Sequence, residues 1–488
     1  MKEPHLDDLS HHRSGRARRA YTGVLWSGVN ALLPAVSGLI VFLVVSRVIS
    51  PEEFGFVAFA VAIIGAIGAF SPAGFGDALV QRTDLGTPHL NATFWLCLVW
   101  GVGLYALAVL SAGPLAVMLG DPMLAVLMPV IGLRLILDLA VVVPSALLNR
   151  KMQFRQLALR TLISSVVSMV ACLVVLWMGY GLWALVMSQL IGALVVCAVS
   201  WLSVSWRPTW GIDRQALRDL SRFGGFASGS RLITTINVDQ LLIGALLGPT
   251  ALGLFSFARR IFQMLNDVLT GALAAVSYPL LSSMQGEPEK LRETYLATTF
   301  LSSVLSFPIF IGFALVADQV VPVVFGAQWQ EATPALQAFC AIGLLSCIGI
   351  LQASLIRAKG RADWWMWYQI VQQGLTALVV LALYPFGITA VVVGIALKTW
   401  LVWPFVAIAV GRMIDLSLLR YTVQFVSPLL GCLVMAAVVL GLGARMEQGT
   451  ALTLAAQIAA GVVAYGATLL MVAAPRLRAL RQTLSKRR

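Results

Sequence analysis

The sequence predicts an all-α polytopic membrane protein. Fourteen transmembrane helices form two six-helix lobes related by a pseudo-two-fold axis along the membrane normal, with two further helices at the C-terminus. Three observations carry this prediction. The chain is 59% hydrophobic and 11% charged over 488 residues, a balance that soluble globular domains do not have. Apolar runs approaching the ~20 residues needed to cross a bilayer recur near 22–48, 54–79, 92–119, 123–148, 157–178, 181–204, 223–247, 251–283, 292–317, 333–356, 364–385, 387–411, 421–443 and 451–474, with connections too short for an inserted soluble domain. Finally, the chain repeats itself: Pro51, Gly55, Phe59 and Ala60 return in place as Pro249, Gly253, Phe257 and Ala258, and Gly181 and Ala184 as Gly387 and Ala390. These matches equate the first, second and sixth spans with the seventh, eighth and twelfth. Two six-span units that start on the same side are parallel repeats, an arrangement suited to alternating access around a central cavity.

The expected organisation follows in order. Residues 1–20 are a disordered cytoplasmic tail, 21–204 an N-terminal lobe, 205–222 a cytoplasmic interfacial linker, 223–411 a C-terminal lobe, 412–475 the last two helices and 476–488 a basic cytoplasmic tail. In the first span Ser27, Asn30 and Pro34 share a stripe, and Pro34 predicts a kink. SPEEFG makes the first outer turn, and Asp77 and Arg82 close the second span on the inner side. The loop NRKMQFRQLALR is basic and suited to lipid headgroups. Residues 205–222, with Trp206, Trp210 and several arginines, predict an interfacial helix. DWWMWY, opening the eleventh span, reads as an aromatic belt rather than a sugar-stacking platform. Gly248-Pro249-Thr250 marks the break between the seventh and eighth spans.

The net charge of +13 does not signal nucleic acid, because its distribution is topological. Arg47 and Arg445 fall on outer loops, and Arg134, Arg231, Arg259, Arg260 and Lys398 inside spans. All other basic residues lie on inner loops and the two tails. This is the positive-inside pattern with both termini in the cytoplasm. Cys97, Cys172, Cys197, Cys340, Cys347 and Cys432 lie within spans without metal-ligand spacing and pack as small apolar side chains. No metal or other cofactor is expected, and no Walker-type nucleotide loop occurs.

The candidate functional residues are the charged and amide groups inside spans. Arg231, Thr235 and Asp239 fall on one helical stripe at i, i+4, i+8, and Arg260, Gln263 and Asp267 on another at i, i+3, i+7, with Arg259 alongside. Charge at bilayer depth costs from ~2.5 kcal/mol upwards, so two neighbouring spans bearing such stripes point to a shared watery cavity. The alternative is an Arg–Asp pair that only locks helices together. Arg134 and Asp138 are spaced to neutralise each other along one helix, though Asp138 also qualifies as a proton site. Lys398 lies within the twelfth span, where the alternative is snorkelling. Asn30, Asn237, Gln240, Gln263 and Asn266 serve either as hydroxyl partners or as helix–helix hydrogen bonds.

SGSRLITTINVDQLLIGALLGPTALGLFSFARRI, LSSMQGEPEKLRETYLATTF, VVPVVFGAQWQEATPALQ and the N-terminal SRVISPEEFGFVAFA resemble the polysaccharide-transport branch of the multidrug/oligosaccharidyl-lipid/polysaccharide flippase superfamily. The resemblance spans about residues 20 to 475. A second Arg at Arg259 departs from the branch pattern of one basic residue at the Arg260 position. The resemblance implies a non-enzymatic flippase of the bacterial inner membrane. Its cargo would be polyprenyl-diphosphate-linked oligosaccharide, moved outward for exopolysaccharide, capsule or O-antigen synthesis. Its partners would be that substrate, membrane lipids, a polysaccharide polymerase and a chain-length regulator, with no nucleic acid. Arg231, Arg259, Arg260, Arg134 and Lys398 would supply a cationic field for the diphosphate, since Arg bonds phosphate oxygens bidentately. Asn30, Asn237 and Gln263 would contact sugar hydroxyls. Asp239, Asp267 and Asp138 would be coupling acids, since a carboxylate near Arg changes protonation with its surroundings. Two alternatives remain at this level: a multidrug exporter, disfavoured by the excess of buried cations, and a membrane-embedded glycan polymerase, disfavoured by short outer loops.

Overall fold

A computed structural model describes residues 33–472 apart from 212, 285 and 447–449. Asn30 and both tails lie outside these residues. The described residues are overwhelmingly helical, as predicted. In order they form α1 (Leu33–Val48), α2 (Pro51–Gly68), α3 (Gly74–Gln81), α4 (Thr87–Leu119), α5 (Met123–Ala140), α6 (Val142–Arg150), α7 (Phe154–Trp177), α8 (Trp183–Leu202), α9 (Arg214–Thr235), α10 (Val238–Ser283), α11 (Pro288–Val320), α12 (Thr333–Ala358), α13 (Ala362–Leu383), α14 (Gly387–Met413), α15 (Leu418–Gly443) and α16 (Ala451–Val472). Eleven stretches among the described residues are long and apolar enough to cross a membrane. The protein is a multi-pass membrane protein.

Local sequence explains the helix starts. Ser50 Oγ accepts the Glu53 N–H at 3.2 Å while the Ser50 N–H reaches Glu53 Oε2 at 3.0 Å. This reciprocal capping box opens α2, with Pro51 as its first residue. Asp213 starts α9 by accepting the N–H groups of Gln215 and Ala216 at 2.8 and 3.3 Å.

Three predicted spans are broken where the hydropathy reading ran through. The second divides into α2 and α3 around Phe70-Ser71-Pro72. The fourth divides at Val141, one turn before Pro144, which cannot donate to the carbonyl four residues back. The seventh was expected over 223–247. Instead α9 ends at Thr235, and Ile236 is extended (φ −74°, ψ 117°). The run Thr234-Thr235-Ile236 is β-branched and weakly helical. Asn237 then occupies the cap position of α10, its carbonyl accepting the Leu241 N–H at 3.2 Å. One continuous stripe through Arg231, Thr235 and Asp239 therefore does not exist. By contrast, the break at Gly248 is where the sequence puts it: Gly248 sits at φ 82° inside α10, a left-handed backbone that favours glycine. The linker is also not one interfacial helix. Residues up to Gly211 are non-helical, pinned by Trp95 stacked on Trp210 (4.4 Å between ring centroids) and by Asn91 donating to Thr209 at 2.6 Å.

The chain forms two compact units, one ending at Ala245 and one beginning at Leu246. In the first, α4 pairs with α5, α7 with α8, and α5 with α8. In the second, α11 pairs with α12, α13 with α14, and α12 with α14, while the α15–α16 pair packs on α11. Each unit thus has the same internal scheme. Of the residues identical in the repeat, the Phe-Ala pairs lie in the core: Phe59, Ala60, Phe257 and Ala258 are all buried. Phe257 stacks on Trp329 at 4.1 Å. Phe59 lies where a Cβ on Gly244 would come within 2.5 Å of its ring.

Candidate functional site

The charged groups singled out in the sequence fall into two sets, one in each unit. In the first unit the two helices created by breaks, α3 and α9, pack together at backbone distance. The Gly74 N–H donates to Ser228 Oγ at 3.1 Å, and a Cβ on Gly224 would lie 2.8 Å from the Phe75 ring. This approach sets Arg231 of α9 against Asp77 of α3, with one guanidinium nitrogen 2.9 and 3.2 Å from the two carboxylate oxygens. Both side chains remain about half exposed, at 53% and 50%. Towards the end of α3 Arg82 pairs with Asp219 at 2.9 Å. The buried Arg150 guanidinium donates to the carbonyls of Leu79, Val80, Arg82 and Thr83, closing α3 with charge-assisted bonds.

Arg134 pairs with Asp138 at 3.0 Å along α5, as their spacing predicts, and also donates to Gln189 of α8 at 3.4 Å. Asn237 and Asp239 stand at the start of α10. Asp239 Oδ1 accepts the Gln240 N–H at 2.9 Å, and an acid in a first turn complements the helix dipole.

In the second unit Arg260 and Asp267 are exposed on one face of α10 and make no ion pair among the described residues. Gln263 is half-buried beside that face. The Arg259 guanidinium lies 5.9 Å from the Phe255 ring centroid, at the edge of cation–π range. Asn266 Oδ1 accepts a 2.6 Å bond from Ser346 of α12, the helix–helix reading of that amide. Lys398 of α14 does not extend to an interface. Its ammonium donates to Gln372 Oε1 at 2.7 Å and Thr376 Oγ1 at 3.0 Å, near the middle of α13.

Sequence reasoning missed several partners. In the sequence Asp77 shows only as a span end, because its partner is 154 residues away. Gln189 and Ser346 carried no signal of their own. Gln372 and Thr376 are four residues apart on an apolar span and were legible as a polar stripe. The arrangement as a whole holds guanidinium and ammonium groups on apolar helices and, for Arg231, on the more polar α9; some are answered by carboxylates, and Lys398 donates to neutral oxygens. Such groups can bind an anion without covalent chemistry.

A family profile described as "Polysaccharide biosynthesis protein" matches residues 44–334. The teichuronic acid biosynthesis protein TuaB of Bacillus subtilis is 26% identical over 407 residues, covering 80% of this chain and 83% of TuaB. The succinoglycan biosynthesis transport protein ExoT of Rhizobium meliloti is 30% identical over 301 residues, 60% of each chain. Among solved structures, the lipid II flippase MurJ in an inward closed conformation superposes with a TM-score of 0.78 over 93% of this chain and all of that one, at 12% identity. That likeness concerns the fold. The chain belongs to the polysaccharide biosynthesis protein family, in the polysaccharide-transport branch of the multidrug/oligosaccharidyl-lipid/polysaccharide flippase superfamily.

Proposed function

We propose that this protein is a flippase that moves polyprenyl-diphosphate-linked oligosaccharide repeat units across the bacterial inner membrane by alternating access, for exopolysaccharide, capsule or O-antigen synthesis. It does no covalent chemistry. Both termini lie in the cytoplasm, and a polymerase and a chain-length regulator receive its product. The observation that carries this reading is the set of cations Arg134, Arg259, Arg260 and Lys398 on helices long and apolar enough to cross a membrane, joined by Arg231 on the more polar α9, in a chain of this family. A diphosphate crossing the bilayer needs such a field, and charge there is too costly to persist without use. Asn237 and Gln263 offer amides to sugar hydroxyls, and Asp138, Asp239 and Asp267 are coupling acids in this scheme.

The test is polymer export in cells that depend on this protein. Arg231→Ala and Arg260→Ala abolish export with the protein still inserted at its normal level, and Lys at either position restores it only in part, since a point charge replaces a planar fork. Arg231→Ala also leaves Asp77 without this partner, so the thermal melt of each variant is measured beside export, and loss of export counts for the reading only where the melt is that of the parent. Normal export by either Ala variant counts against the reading. Reporter fusions at residues 155, 215, 288 and 359 and at the C-terminus read as cytoplasmic and those at 120, 329 and 447 as external; a cytoplasmic signal at 329 overturns the fourteen-helix count.

A further inference from the structure

We propose that one face of α13 is the subsite for the sugar next to the diphosphate, a deepening that rests on the flippase reading above. Trp364, Tyr368, Gln372 and Thr376 recur every four residues, which aligns them on one stripe running ~18 Å from the start of α13 to its middle at 1.5 Å per residue. They are physically linked. The Trp364 and Tyr368 rings are parallel with centroids 5.8 Å apart, and Trp365 lies 5.1 Å from Tyr368 on the other contact. Gln372 Nε2 donates to the Tyr368 hydroxyl at 2.6 Å, and the Gln372 carbonyl accepts from Lys398, which also reaches Thr376.

An aromatic belt accounts for only part of this. Belt residues sit at the interface, and on α13 that description fits the exposed Trp367, followed by the exposed apolar Val371 and Leu378 on the same exposed side. The linked stripe is displaced from that side by one residue, ~100° around the helix. It carries polar groups to mid-span, where each would be costly unless satisfied. Its chemistry is that of carbohydrate recognition: flat rings for the C–H face of a pyranose, an amide and a hydroxyl that both donate and accept for its hydroxyls, and an ammonium at the end for the anionic group that follows the sugar. The order from ring to amide to cation along the stripe is the order of sugar and phosphate in the substrate.

The test is equilibrium binding to the full-length protein in nanodiscs. Two probes are used: polyprenyl diphosphate carrying one hexose, glucose or galactose, and the same lipid without sugar. The parent is expected to bind a hexose-bearing lipid more tightly than the bare one. Tyr368→Phe and Trp364→Leu weaken the hexose-bearing lipid by about three- to tenfold, the scale of one hydrogen bond, and leave the bare lipid unchanged, which also shows that these variants are folded. Lys398→Met weakens both. A parent that binds both lipids equally, or variants that lose both equally or neither, overturns the sugar subsite while the flippase reading stands. A parent that binds neither lipid overturns both.

Discussion

Asp121, in the turn between α4 and α5, is where ionisation should register on stability. Its side chain is buried, its Oδ1 accepts the Met123 N–H at 3.1 Å, and its Oδ2 has no partner among the described residues. Burial pushes its pKa up, Glu52 pushes it the same way, and the backbone bonds from Met123 and Leu124 oppose them. A carboxyl whose pKa is raised by folding contributes stability that is fully present below its ordinary value. That contribution is lost as pH rises through the raised value. Asp121→Asn keeps the cap acceptor and removes the charge. The variant should therefore melt higher than the parent in detergent at pH 8, and the gap should close by pH 4; the reverse ordering at pH 8 would show the ionised form to be the stabilising one. Residue-scale contacts were legible in the sequence only where partners share a helix. Arg134 and Asp138 could be paired from spacing alone, because i and i+4 are neighbours on any helix. Arg231 could not be matched to Asp77, because that contact depends on two helix breaks and a close backbone approach that hydropathy does not encode.

That approach between α3 and α9 is set by glycine. A Cβ on Gly74 would lie 2.3 Å from the Ser228 nitrogen and 2.7 Å from both the Ala227 carbonyl carbon and the Gly224 oxygen, whereas one on Gly113 in α4 meets nothing within 4 Å. Backbone atoms cannot swing aside as a side-chain tip can, so Gly74→Ala must push the helices apart and lose the Ser228 bond and the Arg231–Asp77 pair together. Overpacking of this kind costs about 1–3 kcal/mol. Gly113→Ala in an open helical position gains up to about 1 kcal/mol. Thermal melts of the two purified variants should therefore move in opposite directions, and a Gly74→Ala protein as stable as the parent would mean that α3 and α9 do not pack this closely. At this scale the sequence announced some features and hid others. Gly248-Pro249 declares its break because both residues are backbone specialists. The break at Ile236-Asn237 sits inside an apolar run, where a hydropathy window averages over it and only the β-branched cluster hints at it. Likewise the arginine-bearing linker reads as amphipathic helix by composition, while its residues up to Gly211 are non-helical, with Trp210 stacked on Trp95.

Over the whole molecule the embedded cations differ in how they are answered, and that difference bears on energy coupling. Positive-inside charge and apolar runs were enough to foresee a many-helix transporter fold, because both are summed over hundreds of residues and tolerate local error. They were not enough to rank the acids, because each acid's role depends on its contacts. Asp239 occupies the first turn of α10 and bonds the Gln240 N–H, a helix-start position. Asp267 shares an exposed face with Arg260 seven residues away, too far to touch along one helix. Asp77 is in direct contact with Arg231, as Asp138 is with Arg134, and both of these arginines are proposed to bind substrate; the Arg134–Asp138 pair lies within one helix, whereas the Arg231–Asp77 pair joins two. A diphosphate arriving at Arg231 would compete with Asp77 for the guanidinium, and a carboxylate that loses its counter-charge takes up a proton more readily. Substrate binding and proton uptake would then be linked in both directions, as thermodynamic coupling requires. In reconstituted vesicles carrying a labelled lipid-linked oligosaccharide, Asp77→Asn should remove most of the response of transport to an imposed pH gradient while leaving substrate binding largely intact. Asp239→Asn and Asp267→Asn should weaken that response less. If the Asp77 variant follows the pH gradient as the parent does, the Arg231–Asp77 contact is structural, and protons, if they drive transport, enter elsewhere.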